Sequence, residues 1–411
     1  MPRIDPDRLL NDLRTLRTFG ACGTGVVRQA FTPIDMEARR WLAGRMTDAG
    51  LDSVIDGAGN VVGRSRNPGP ALLVGSHSDT QPNGGWLDGA MGVICAIELA
   101  RALRDDPATR DDALDAVSWQ DEEGAYFSFL GSRSFCGDAP ADAIDRAVGI
   151  DGKSLRAAMA EAGLANVAPK RLEPGRHVAY LEAHIEQGGR LEAERKRIGI
   201  VTDIVGIREF LVTFGGRQNH AGTTPMPIRR DAGAALIRFA AELDTQFRTL
   251  AGPHTVWTIG RVQFFPGAPS IIPGRAEMIV QMRDPQAERL QQFGAALHAL
   301  ADVFNKAGPV TVALAEPDDP TDPSAMDEGM QRHLAAAAEK HAPGQWIPMP
   351  SGAGHDAQIV ARFLPSAMLF VPSIGGVSHD FSEDTAEADI ALGCQVLADA
   401  AATILQAARG R

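Results

Sequence analysis

The stretch from Ala71 to Glu98, ALLVGSHSDTQPNGGWLDGAMGVICAIE, constrains the fold of this chain more than any other. It joins an apolar run, a polar glycine-rich loop and the start of an apolar helix around three side chains able to hold a metal, His77, Asp79 and Asp88. Leu72, Leu73 and Val74 have the character of a buried strand, and Gly75 is expected to end it, so that His77 and Asp79 emerge at the strand's carboxyl end. Open α/β sheets place their ligands at that edge. Two residues apart in extended chain, His77 and Asp79 face one side, where the carboxylate can hold the imidazole or share its metal. Gly84, Gly85 and Gly89 allow tight turns around Asp88, and Ala90 to Leu103 reads as an apolar helix anchoring the loop. Taken alone, the stretch could equally be a surface turn, since Asp and Gly are ordinary turn residues. The rest of the chain decides.

The same arrangement recurs. Ala113 to Trp119 reads as another buried strand and ends in Asp121-Glu122-Glu123, so strand, helix and strand make a parallel βαβ unit with acids again at a carboxyl end. Val178 to Ile185 alternates toward His184 and runs into Glu186 and Gln187. A later strand, Ala367 to Val371, is followed by His379. Amphipathic helices are expected at Asp7 to Phe19 and Asp35 to Ala49, the second opened by Thr32 and Pro33 and closed by Gly50. From Arg208 the character changes to alternating strands, REFLVTFGG, HTVWTIGRVQFF and GRAEMIVQMRD, with helices at Asp231 to Leu250 and Pro285 to Ala307. The Pro- and Asp-rich stretch from Glu316 to Ser324 bounds this segment. The fold class that follows is α/β: a catalytic domain over residues 1–207 and 323–411, with a mostly parallel mixed sheet flanked by helices, plus an inserted α+β domain of four strands and two helices over 208–322.

Composition excludes several partners. Forty Lys and Arg against 52 Asp and Glu give a net charge of −12, which argues against nucleic acid and anionic membrane and for a small solute. The four cysteines show no CxxC spacing, so neither a disulfide framework nor a thiolate metal site is suggested. A charged N-terminus without an apolar core, and no uninterrupted apolar run of about 18 residues, lead to the expectation of a soluble cytoplasmic protein.

His77, Asp88, Glu122, Glu123, His184 and His379 thus gather imidazole and carboxylate groups at the strand ends of one predicted sheet. That set suits zinc, and also manganese, cobalt or nickel. One carboxylate bridging two ions about 3.5–4 Å apart would make a two-metal hydrolytic site, with Asp88 the candidate bridge. Neighbouring side chains on one strand end diverge, so one glutamate can be a ligand while the other moves protons. Two other classes compete. A two-histidine, one-carboxylate iron oxygenase expects an all-β barrel and leaves Asp88, Glu123 and His184 unexplained. A metal-bound protein without catalysis would be expected to lack the proton shuttle, which is present as Glu122.

The motifs GSHSDTQPNGGWLDGAMGV, DEEGAYFSFLGSRSFCG, EAHIEQG, GRQNHAGTTPMPIRRDA, SGAGHDA and FVPSIGGVSHDFSED, in this order, resemble those of the hydantoinase/carbamoylase-type amidases of the dinuclear-metal aminoacylase and carboxypeptidase superfamily. N-carbamoyl-L-amino acid amidohydrolases, β-ureidopropionases and allantoate amidohydrolases belong to that group. The resemblance implies two divalent ions per chain, one held by His77, Asp88 and His184 and the other by Asp88, Glu123 and His379. It implies Glu122 as general base, Asp79 orienting His77, and His220 stabilising the oxyanion, often in the partner subunit's site. Gln187, Asn219, Arg283, Ser351, Gly352 and His355 match positions near the substrate, with Arg283 the clamp for a substrate carboxylate. It further implies a homodimer formed through the inserted domain.

Three departures from the family pattern bear on specificity: Ala125-Tyr126-Phe127 for the usual Ser-Arg-Phe, Ser270 where many members carry Asn, and Trp86, expected to narrow the mouth of the site. His177, His254, His298, His333 and His341 match no motif and are expected to be surface or packing residues.

Overall fold

The computed structural model describes residues 1–316 and 320–409. Pro317, Asp318 and Asp319 of the Pro- and Asp-rich boundary lie outside them. The chain divides into two units, Met1–Thr202 with Ala325–Arg411, and Asp203–Ser324.

The first unit is built on a nine-stranded sheet, in which seven neighbouring strands run Ile198–Ile204, Ser366–Val371, His177–Ile185, Ala71–His77, Ala113–Trp119, Val61–Arg64 and, at the edge, Asp52–Ile55. The four strands from Ser366–Val371 to Ala113–Trp119 are mutually parallel, and antiparallel strands flank them. Parallel strands are covered on both faces, which is why these read as continuous apolar runs. Every residue of Ala71–His77, Ala113–Trp119 and Ser366–Val371 is buried. The expected alternation toward His184 is absent for the same reason, since His177–Ile185 is buried on both faces apart from Val178.

Register brings the site together. His77 pairs with Trp119, and His184 with Phe370, so the four carboxyl ends lie along one edge. The first strand does not stop at Gly75 but runs through it to His77. A side chain at Gly75 would place its Cβ 2.1 Å from the Val117 carbonyl oxygen, so this glycine permits a close strand approach and terminates nothing.

Helices Pro6–Thr18, Ala90–Asp105, Glu328–His341 and Glu387–Arg409 contribute to one large apolar core with the sheet. Ala90–Asp105 is buried nearly all round, as a helix enclosed between a sheet and other helices must be. Pro33–Asp48 begins as the sequence signals: Thr32 Oγ accepts the Asp35 N–H at 3.2 Å, with Pro33 in the first turn. Glu387–Arg409 is long and apolar enough to cross a membrane, but 67% of its most apolar window is buried inside the protein. That burial marks it as a core helix.

The second unit is a four-stranded antiparallel sheet ordered Val256–Phe265, Arg275–Asp284, Gly206–Gly215, Thr311–Ala315. Helices Ala232–Leu250 and Ala287–Ala307 share its apolar core, with Phe214, Phe239, Phe247 and Phe293 at the centre. Alternation is genuine here: in Gly206–Gly215 the residues Phe210, Val212 and Phe214 point into that core.

Candidate active site

His77 is the last residue of its strand, and its ring is aimed from behind. Nδ1 lies 3.1 Å from the Asp79 carbonyl oxygen and 3.7 Å from Asp79 Oδ1. With the Nδ1 proton directed at that carbonyl, the Nε2 lone pair is free. It faces Asp88 Oδ1 at 3.6 Å and Glu122 Oε2 at 3.7 Å. Asp79, just past the strand, accepts the Glu123 backbone N–H on Oδ2 at 3.2 Å. Fully buried Arg39 lies 3.8 Å from Asp79 Oδ1 and donates to the carbonyls of Gly59, Ser118 and Trp119. One helix therefore fixes the ends of both acid-bearing strands.

Asp88 sits where its two oxygens face different groups. Oδ1 is 3.1 Å from His184 Nε2, while Oδ2 is 3.2 Å from His379 Nε2 and 3.1 Å from Gln187 Nε2. His184 Nδ1 lies 2.9 Å from the Ile185 carbonyl, which again leaves Nε2 as the inward atom. Gly89 follows at φ +63°, and a Cβ there would stand 2.4 Å from the His77 ring. The other two loop glycines serve close approach: a Cβ on Gly84 would meet Thr80 at 2.5 Å, and one on Gly85 would meet Glu383 at 1.9 Å.

Two sets of ligand atoms result, His77–Asp88–His184 and Asp88–Glu123–His379, each with its atoms within 4.8 Å of one another. Glu123 Oε2 is 3.7 Å from His379 Nε2 and accepts from Gln81 Nε2 at 2.7 Å, while buried Glu123 Oε1 has no hydrogen-bond partner. An orphaned carboxylate oxygen beside imidazole lone pairs fits a divalent cation on chemical grounds. His379 is half exposed and at φ +55°, so the second set opens to solvent more than the first.

The electrostatics are those of a buried carboxylate cluster. Burial alone would raise Asp88, but when His184, His379 and His77 are protonated the hydrogen bonds they donate hold it well below the usual carboxylate range. Burial drives Glu122 well above that range, with His77 opposing and Glu123 adding to the rise. Glu123 is pushed up to about 7 by burial and by Asp88. His379 rises to about 9 through its hydrogen bond to Asp88. Adjacent glutamates thus hold different surroundings, the setting in which acid and base roles separate.

Ser351 and His355 lie in the same unit, with Ser351 Oγ 2.9 Å from His355 Nε2 and the His355 ring 4.6 Å from that of His184. Burial and the neighbouring His184 depress His355 well below the usual histidine value, so it stays neutral. Gly352, beside them, is exposed.

In the second unit, Asn219 and His220 form a short strand paired with Ile271–Ile272. His220 Nδ1 accepts the N–H groups of Gly222 and Thr223 at 3.0 and 3.1 Å. Those bonds leave Nε2 as the N–H donor of the neutral ring, pointing from an exposed residue. Arg283 is half-buried near the end of its strand, its Nε donating to Gln281 Oε1 at 3.0 Å. Asp284 pairs with Arg289 at 3.1 Å.

Sequence patterns did not reveal three supporting residues. Glu383 Oε1 accepts the Leu87 and Asp88 N–H groups at 3.2 and 3.0 Å, Gln81 holds Glu123, and Arg39 stands behind Asp79. Only Gly85 hinted at Glu383, since that glycine makes room for it. Trp86 does not narrow any mouth. It is 6% exposed, packed in the core beneath the Arg17 guanidinium at 4.8 Å. Of the unmatched histidines, His177 is buried against Asp115 at 3.2 Å and His341 bonds Asp399 at 2.8 Å.

The sequence profile of peptidase family M20/M25/M40 matches residues 73–403. The chain belongs to this family. Within it, the resemblance to the hydantoinase/carbamoylase-type amidases holds over the full length. A crystal structure of an amidase (hydantoinase/carbamoylase family) from Burkholderia phymatum superposes with a TM-score of 0.92 at 57% identity, covering 100% of both chains. The N-carbamoyl-L-amino acid amidohydrolase of Geobacillus stearothermophilus is 34% identical over 99% of this chain and 100% of that protein. The allantoate amidohydrolase of Bacillus subtilis is 35% identical over 93% of this chain and 94% of that protein. The mostly parallel sheet and separate four-stranded sheet are the expected family architecture.

Proposed function

We propose that the protein is a metal-dependent amidohydrolase that cleaves a linear amide or ureido C–N bond in an N-carbamoyl or N-acyl amino acid. The observation that carries this is Asp88, whose two oxygens each belong to a separate ligand set beside the unligated carboxyl of Glu122. His77, Asp88 and His184 would hold one divalent cation and Asp88, Glu123 and His379 a second, zinc first, with manganese, cobalt or nickel as alternatives. Such ions, when bound, polarise the scissile carbonyl and make water more acidic. Glu122 takes the proton of the attacking water on its carboxylate and delivers it to the leaving nitrogen. Asp79 holds the His77 ring in the tautomer that presents Nε2. His220, through its Nε2–H, donates to the carbonyl oxygen as negative charge develops there. Arg283 binds the substrate carboxylate, and Gln187, Asn219, Ser351, Gly352 and His355 complete the substrate's surroundings.

The names of the relatives support this substrate class, and the allantoate amidohydrolase of Bacillus subtilis supports allantoate or another ureido acid as the alternative. We further propose a cytoplasmic homodimer formed through the second unit. The four free thiols of each chain suit a reducing compartment.

The test is a panel of N-carbamoyl amino acids, N-acyl amino acids and allantoate with zinc, manganese or cobalt added, scoring ammonia and amine release. Release from carbamoyl or acyl amino acids is expected, abolished by chelation. Turnover of allantoate alone would select the alternative, and no turnover of any member would refute the reading.

A further inference from the structure

A cavity of about 260 Å³ opens beside Glu123 in the first unit. Its apolar walls are Ala30, Pro82, Ala125, Tyr126 and Ile150. Gln81, which lines it too, donates its amide to Glu123 Oε2, so the cavity begins one side chain away from the second ligand set.

The walls are held before any ligand arrives. The Tyr126 and Phe127 backbone N–H groups both donate to fully buried Asp121, at 3.1 and 2.8 Å. The Tyr126 ring stands edge-on to Phe31 at 6.0 Å. Gly149 also comes close to it, where a Cβ would sit 2.9 Å from the ring. Ile150, the next residue, is fully exposed, an apolar side chain at the rim with nothing yet covering it.

We infer that this cavity receives the side chain of the amino-acid half of the substrate and selects an apolar one. The inference rests on the amidohydrolase reading above. With the scissile carbonyl at the ligand sets, the substrate extends in two directions. In an N-carbamoyl amino acid, the substrate class named by the relatives, the carbamoyl end is small and polar and has no use for an apolar cavity of this size. The substituent on the α-carbon is what fits, up to the size of leucine or phenylalanine. Asp151, exposed at the same rim and not committed to the ligand sets, lines this space too, and its charge disfavours an anionic side chain. Tyr126 and Ile150 are then the residues that set specificity. Covering a leucine-sized side chain is worth on the order of ten- to a hundredfold in kcat/KM over alanine.

The test uses full-length, metal-loaded protein with N-carbamoyl-L-alanine, -leucine, -phenylalanine and -aspartate. Wild type should favour leucine and phenylalanine over alanine by about tenfold or more, with aspartate poorest. Tyr126→Ala should collapse the leucine-to-alanine ratio by about tenfold. Ile150→Ser, at a fully exposed position that folding does not depend on, should lower it in the same direction. A wild-type preference for alanine or aspartate, or ratios unmoved in both folded variants, overturns the inference while leaving the amidohydrolase reading intact. If nothing is hydrolysed, that reading falls, and calorimetry with L-leucine and L-phenylalanine judges the cavity by itself. Binding lost in Tyr126→Ala supports it; absence of binding to wild type refutes it.

Discussion

At the scale of single residues, the site depends on small differences between neighbours. Glu122 and Glu123 are adjacent, yet Glu123 faces His379 and Gln81 while Glu122 faces His77. Glu122→Gln should therefore keep fold and metal but lower turnover by roughly 10²–10⁴-fold, which kinetics combined with elemental analysis would check. Retained turnover would move the base elsewhere. Gly89 makes a sharper case, because its backbone is left-handed and the His77 ring fills the space where a side chain would go. Gly89→Ala should cost about 1–3 kcal/mol in stability and reduce metal binding, read from thermal melts and metal titration. A variant that bound metal normally would show that the ring relaxes freely. The gathering of His77, Asp88, Glu122, Glu123 and His184 was legible in the sequence, because histidines and acids at the ends of apolar runs are few, while the division of roles between the two glutamates came with the family resemblance. Their supports were not legible. Arg39, Gln81 and Glu383 act across 40, 42 and 295 residues of sequence, a distance no local pattern spans.

At the scale of elements, parallel pairing explains both what the sequence disclosed and where it misled. Strands covered on both faces leave apolar runs that are easy to see, but they hide alternation, as in His177–Ile185, and they turn Gly75 from an apparent stop into a packing requirement. The strands Ile198–Ile204 and Trp346–Ser351 went unread, the first because it follows directly on the charged run 194–197 and the second because Pro348 and Pro350 interrupt it. Helix packing offers its own test. Asp399 of the last helix binds Lys340 at 2.5 Å and His341 at 2.8 Å from the end of Glu328–His341. Burial would raise this carboxyl, but those two partners hold it below its ordinary value. A depressed folded value means stabilisation that is present above the unfolded value of about 3.9 and lost as pH falls through the folded one. Asp399→Asn should accordingly destabilise the protein by about 1.5–3 kcal/mol at pH 7 and much less at pH 3, measured by denaturant melts at both. Equal losses at the two values would mean that packing, not charge, joins the helices.

At the scale of the whole molecule, the proposed function gives each unit its own part, the ligand sets at the sheet edge of the first and His220 and Arg283 in the second. Arg283→Ala is expected to lower kcat/KM on carboxylate-bearing substrates by roughly one to two orders of magnitude and to leave amidated analogues, already poor, little changed. Both sets of measurements presuppose the metal centre, and that is where the account is most exposed. Asp88 offers one oxygen to each ligand set, so in the proposed centre two ions would share a single carboxylate. The decisive measurement is metal stoichiometry by elemental analysis after loading with zinc or manganese and dialysis, comparing wild type with folded Asp88→Ala. The account predicts two ions per chain in wild type and loss of both in the variant. One ion in wild type, or an Asp88→Ala protein that keeps two, would contradict it.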